Sequence, residues 1–241
     1  MKTPLRYPVV LLDVGGTLIG PRASFGEVYS EIFSKFGVRC DGEQFNAAVY
    51  ATWNEMSESI PPGADRYAHF DGGEDGYWRK FVARSVEFAT GEMIGERLAA
   101  AALAALQERF GSASAWRVFN DVPPALQALR DLGARLAVVS NWDSRLPRVL
   151  QSLELDRWFE TVVVSHFEGV EKPSAKIFQR ALERMGVEAS RALHVGDSPE
   201  LDGAGAAAAG VDFAWIDRRD EPAKESIPDF RELPRIVERG F

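Results

Sequence analysis

Short apolar runs, each about the length of a strand and rich in valine, recur at 9–12 (VVLL), 135–140 (RLAVVS), 161–165 (TVVVS), 192–196 (ALHVG) and 211–216 (VDFAWI). Each is followed by polar residues or glycine, the pattern of strands buried on both faces of a parallel sheet. Between the later runs the apolar residues fall at helical spacing. Ala125, Leu126, Leu129 and Leu132 are closed by Gly133, Leu146, Val149, Leu150 and Leu153 follow, and Ile177, Phe178, Ala181, Leu182 and Met185 are closed by Gly186. Strand alternating with helix predicts a doubly wound α/β domain of about five parallel strands.

The rhythm breaks after the first run. About 120 residues separate it from the second, and most of them read as helix. Ser24 with Glu27 predicts a capping box ahead of Phe25, Val28, Tyr29, Ile32 and Phe33, and Asp41 with Gln44 predicts another ahead of Phe45, Val49 and Trp53. Two further helices are expected around Trp78 to Phe88 and Glu96 to Phe110, and a Pro/Gly-rich loop at 59–76. Trp53, Tyr77, Trp78 and Phe81 match helical spacing and are expected to pack the interior of this insert. The chain therefore reads as a core domain of residues 1–18 and 119–241 interrupted by a mainly helical domain of residues 19–118.

A chain of 241 residues with 46% hydrophobic and 27% charged residues has a globular composition and can bury a substantial core. The net charge of -8, with no basic stripe, argues against nucleic acid as a partner. Cys40 is the only cysteine, which leaves no intrachain disulfide framework and no thiolate-rich metal cluster. The apolar start at 8–12 is too short for a signal-peptide core and no apolar run is long enough for a membrane span, so a cytoplasmic protein is expected.

In an open parallel sheet, ligands bind beyond the carboxyl ends of the strands. Asp13 and Thr17 follow the first run, Ser140 and Asn141 end the second, Lys172 lies in GVEKPSAKIF after the third, and Asp197 and Asp202 lie in HVGDSPELDG after the fourth. These four segments, in this order from residue 9 to about 210, resemble the four motifs of the haloacid dehalogenase (HAD) superfamily, most of whose members are Mg²⁺-dependent phosphatases. Residues 18 to 118 look like that superfamily's helical cap, inserted between its first two motifs. The resemblance implies a Rossmann-like HAD core and the hydrolysis of a small phosphorylated metabolite. It implies Asp13 as a nucleophile that forms an aspartyl-phosphate. Lys172, Thr17, Ser140 and the Asn141 backbone N–H would hold the phosphoryl oxygens. Mg²⁺ would be bound by Asp13, the Gly15 carbonyl and Asp197. Asp202 would stand behind them, as a water-mediated metal contact or as the group that orients Lys172 or Asp197. Gly16 reads as a backbone requirement for a sharp turn beside the phosphate.

One position departs from the pattern. Two residues past the nucleophile the superfamily's phosphatases usually carry a second Asp, which protonates the leaving oxygen, and this chain has Gly15. General acid–base catalysis of that kind contributes ~10²–10⁴-fold. Three readings follow: a phosphatase restricted to good leaving groups; one whose acid comes from the cap, with His69, Asp71 or Asp75 as candidates; or a weak catalyst that binds phospho-ligands. The dehalogenase and phosphonate-cleaving branches also lack that Asp and stand as further alternatives. His194 and His166, without a second His or Cys at ligand spacing, read as packing or local hydrogen-bonding residues.

Overall fold

The computed structural model describes residues 4–241. The chain forms two compact units, one built from the residues up to Gly20 together with Val118–Phe241, the other from Pro21–Arg117.

In the first unit, β1 (Val9–Leu12) is the central strand. The chain crosses to the second unit and back through two short strands, β2 (Ile19–Pro21) and β3 (Trp116–Val118), which pair as a two-stranded ribbon that the hydrophobic pattern had not indicated. The second unit is helical, with α1 (Phe25–Ser34), α2 (Gly42–Glu58), α3 (Gly73–Thr90) and α4 (Glu96–Phe110). The chain then alternates: α5 (Val122–Leu132), β4 (Arg135–Ser140), α6 (Leu146–Ser152), β5 (Thr161–Val164), a single turn α7 (Ser165–Glu168), α8 (Ala175–Met185), β6 (Ala192–Gly196), α9 (Ala204–Ala208), β7 (Asp212–Trp215) and α10 (Leu233–Arg239).

The five-stranded sheet has the order β5-β4-β1-β6-β7 and is parallel throughout. Its three central strands are buried on both faces, as their unbroken apolar runs require, whereas the edge strands β5 and β7 are partly exposed: Val9, Leu11, Ala137, Val139 and Val163 pack with Ile177, Phe178 and Ala181 of α8, while Val10, Leu12 and Val138 are equally buried. From β1 the chain runs outward through β4 and β5, then returns to the other side for β6 and β7. That reversal opens a crevice at the carboxyl end of β1.

Local signals account for the helix ends. Ser24 caps α1 with the full reciprocal box, its Oγ accepting from the Glu27 N–H while Glu27 accepts from the Ser24 N–H. Asp41 caps α2 by accepting from the Gln44 N–H at 2.8 Å, but Gln44 Oε1 accepts from Cys40 Sγ, so this second box is only half formed. The expected loop at 59–76 is more ordered than its Pro/Gly content suggested, holding a 3₁₀ turn at Arg66–His69 and the first turn of α3. Tyr77 and Phe81 are buried in the helical unit, while Trp53 is about two-fifths exposed and stacks on the Arg66 guanidinium at 4.5 Å.

Candidate active site

The parallel register brings the chemistry to one edge. Asp13 lies one residue past β1, its N–H bonded to the Val195 carbonyl at 2.9 Å; Ser140 is the last residue of β4, and Asp197 is one residue past β6. Residues far apart in sequence meet here because each sits at the same level of a neighbouring strand.

Asp13 is buried and held from one side. Ser140 Oγ donates to its Oδ1 at 2.8 Å and Lys172 Nζ donates to the same oxygen at 2.6 Å. Among the described residues nothing donates to Oδ2. Lys172, only 4% exposed, bonds Asp202 Oδ1 at 2.6 Å as well, so one ammonium joins two buried carboxylates. The lysine is fixed through its backbone too: Asn141 Oδ1 accepts from the Lys172 N–H at 2.7 Å, and Asn141 Nδ2 donates to the Lys172 carbonyl at 3.0 Å.

Asp202 is committed on both oxygens. Besides Lys172, Oδ1 faces His194 Nε2 at 2.7 Å, and Oδ2 accepts from the Ser198 N–H at 3.1 Å. His194 is fully buried in β6, with Nδ1 3.1 Å from the Leu11 carbonyl oxygen, so both of its ring nitrogens face acceptors. Asp202 thus joins the Lys172 ammonium to the His194 imidazole. Thr17 is also fully buried, and among the described residues its Oγ1 has no hydrogen-bond partner. A buried hydroxyl left unsatisfied is costly, and here it lies on the loop that carries Asp13.

Electrostatics at this edge are dominated by burial and excess negative charge. Burial pushes the Asp13 carboxyl above its ordinary range, opposed by Lys172 and reinforced by Asp202. Burial opposes the Lys172 charge, but Asp13 and Asp202 outweigh it and leave the ammonium more basic than usual. The Asp202 charge is likewise opposed by burial and held below the carboxylate range by Lys172 and His194. Asp197 keeps an exposed face, yet protein crowding and the charges of Asp13 and Asp202 push it up to about 7. Carboxylate oxygens of Asp13, Asp197 and Asp202 lie within 4.8 Å of one another. Such a set of hard oxygen donors, with more negative than positive charge, fits a hard divalent cation.

The two glycines of the loop differ. Gly16 has φ +73°, and a Cβ there would stand 2.2 Å from Asp197 Oδ2, so both conformation and space demand glycine. Gly15 is not in the left-handed region; a Cβ there would come within 3.3 Å of Trp142 Cζ3.

Of the residues expected from the sequence, Asp13, Ser140, Lys172 and Asp202 are joined by direct hydrogen bonds, Asn141 clamps Lys172, and Asp197 completes the acidic cluster. His69, Asp71 and Asp75 belong to the helical unit and are exposed, Asp75 paired with Arg79 at 2.9 Å. Sequence reasoning missed His194 as an anchor of Asp202, the side-chain clamp of Asn141, and Trp142. The only available signal for His194 was a polar residue inside an otherwise apolar strand.

A family model described as haloacid dehalogenase-like hydrolase matches residues 7–210. The chain is 30% identical over 247 residues to Haloacid dehalogenase-like hydrolase domain-containing protein 3 of Danio rerio, covering 100% of this chain and 99% of that protein. It is 40% identical over 102 residues to Glyceraldehyde 3-phosphate phosphatase of Pyrococcus abyssi, covering 40% of this chain and 42% of the other. Among solved structures, the HAD phosphatase from Thermococcus onnurineus superposes with a TM-score of 0.62 at 25% identity, over 99% of this chain and 100% of that one.

Proposed function

Since the chain belongs to the haloacid dehalogenase-like hydrolases, we propose that it is a Mg²⁺-dependent phosphatase that acts on a small phosphorylated metabolite through an aspartyl-phosphate at Asp13, and that it favours good leaving groups. The observation that carries this reading is the asymmetric hold on Asp13. Ser140 and Lys172 fix one carboxylate oxygen, and no described residue donates to the other, which leaves it able to attack.

In this reading Asp13 Oδ2 bonds to phosphorus as the bond to the ester oxygen breaks, and the oxygen of a water molecule then bonds to phosphorus as the Oδ2–P bond breaks, which releases inorganic phosphate with the water's protons and returns the carboxylate. Lys172 neutralises charge on the phosphoryl oxygens, and the unpartnered Thr17 hydroxyl donates to one of them, as does the Asn141 backbone N–H. Asn141 and Asp202 hold Lys172 in position from its two ends. Mg²⁺, held by Asp13, the Gly15 carbonyl and Asp197, would supply the remaining positive charge that a phosphoryl dianion needs beside these acids. Gly15 provides no proton, so the leaving oxygen departs as an anion, which acyl and aryl phosphates tolerate best. The helical unit, residues 21–117, is read as the cap.

The test is Mg²⁺-dependent phosphate release from acetyl phosphate, an aryl phosphate and a set of sugar and nucleotide monophosphates, with Asp13→Asn as control. Turnover that Asp13→Asn abolishes, strongest on acetyl and aryl phosphates, is expected. Turnover retained in Asp13→Asn, or none on any compound, would overturn the reading.

A further inference from the structure

Trp142 follows directly on the Ser140-Asn141 pair, and its place is set by its main chain. The Trp142 N–H donates to Ser165 Oγ at 3.1 Å. The Trp142 carbonyl accepts from the same hydroxyl at 3.1 Å and from the His166 N–H at 3.3 Å. Ser165 is buried at the start of α7, so the segment bearing the indole is tied to the sheet edge from both sides. The indole itself is half-buried, and its Cζ3 lies 3.3 Å from where a Cβ at position 15 would stand. Since Gly15 has an ordinary backbone conformation, no left-handed geometry excludes a side chain there. Among the described residues, and chain neighbours aside, the ring supplies the one heavy atom within 4 Å of such a Cβ, in a tight contact rather than an overlap.

We infer that Trp142 is a specificity-determining residue, whose indole fills the volume beside Gly15, bars an acidic side chain from it, and gives the leaving group an apolar aromatic wall. The inference rests on the phosphatase reading, in which position 15 faces the departing oxygen. It deepens that reading by naming the substrate class: phosphates whose leaving group is planar and stable as an anion, such as aryl phosphates. Two features of the chain then have one cause. Glycine supplies no proton, and the ring that needs the glycine selects substrates that do not require one. A planar leaving group against the indole gains contact that a short alkyl group cannot make.

The experiment is a mutant cycle with Gly15→Asp, Trp142→Ala and the double variant, assayed on 4-nitrophenyl phosphate and ethyl phosphate. Trp142→Ala should raise KM for the aryl ester about 2- to 10-fold while changing that for ethyl phosphate far less. Gly15→Asp alone should bring no gain in ethyl phosphate kcat/KM, because the ring keeps the introduced carboxyl from the leaving oxygen. In the double variant, ethyl phosphate kcat/KM should rise about 10-fold or more above the product of the single effects. Its pH profile should gain a limb that falls as pH rises through the pKa of the introduced carboxyl, which must be protonated to act. Equal gains in Gly15→Asp with and without Trp142, or equal KM changes on both esters in Trp142→Ala, would overturn the inference and leave the phosphatase reading intact. Turnover that survives Asp13→Asn would overturn both. The packing itself has a separate readout: Gly15→Ala should lower the melting temperature with Trp142 present and not in the Trp142→Ala background, and equal shifts in the two would refute the contact.

Discussion

Replacing Lys172 with methionine probes the charge balance of the site most directly. The side chain is buried, has a volume close to that of methionine, and is the ammonium shared by Asp13 and Asp202 at 2.6 Å each. Removing one partner of a buried ion pair costs about 3–5 kcal/mol, because a charge is left without compensation. Two features place this case near the lower limit. Asp202 retains His194 and the Ser198 N–H, and Asp13, already above its ordinary pKa, can take up a proton. A loss of about 3 kcal/mol in a chain of 241 residues corresponds to a fall of about 6–12 °C in melting temperature. Scanning calorimetry at pH 7 with a chelator would measure it, and added Mg²⁺ should shrink the gap by restoring positive charge beside the acids. Replacing Asp13 and Asp202 by Asn together with Lys172→Met should recover much of the loss, since no isolated charge is then buried. A Lys172→Met variant that melts within about 1 °C of the parent would refute the reasoning that the ammonium holds two buried carboxylates.

Three other perturbations test separate parts of the structure. His194→Phe should fit between Phe178 and Phe213 yet destabilise by about 1–3 kcal/mol in urea unfolding, because Asp202 and the Leu11 carbonyl lose a partner; an unchanged midpoint would contradict this. Gly26→Ala would place a Cβ 2.0 Å from the Gly42 carbonyl oxygen where α1 crosses α2, and should cost about 1–3 kcal/mol by forcing the helices apart; a melting temperature at or above the parent's would count against that close approach. Burial opposes the charge of Asp121, but the Arg218 guanidinium and the Phe230 N–H overcome it and hold the carboxyl below its usual range. Its stabilising effect is therefore full above the unfolded pKa near 4 and is lost as pH falls through the lower folded value. Asp121→Asn should accordingly destabilise at pH 7 and converge on the parent in acid, as followed by thermal melts across pH; a gap independent of pH would show that charge is not involved.

The parts of this protein that its sequence determined are those governed by neighbours a few positions away. Valine runs of strand length announced a parallel sheet because only strands covered on both faces can be apolar at successive positions, and the Ser24–Glu27 box and the closing glycines at 133 and 186 marked helix ends through bonds of local reach. The motif residues were legible for a related reason: in a parallel sheet every strand's carboxyl end lies on the same edge, so following a strand is enough to be near the site. Tertiary structure alone decided which of these residues touch. Lys172 and Asp13 are 159 positions apart and His194 and Leu11 are 183 apart, and only the order β5-β4-β1-β6 makes them neighbours. The same order brings the Trp142 indole to within 3.3 Å of where a Cβ at position 15 would stand, a neighbour that the sequence alone does not reveal. Periodicity and capping carry no information about such pairs, because they are set by packing between strands that the chain reaches only after long excursions.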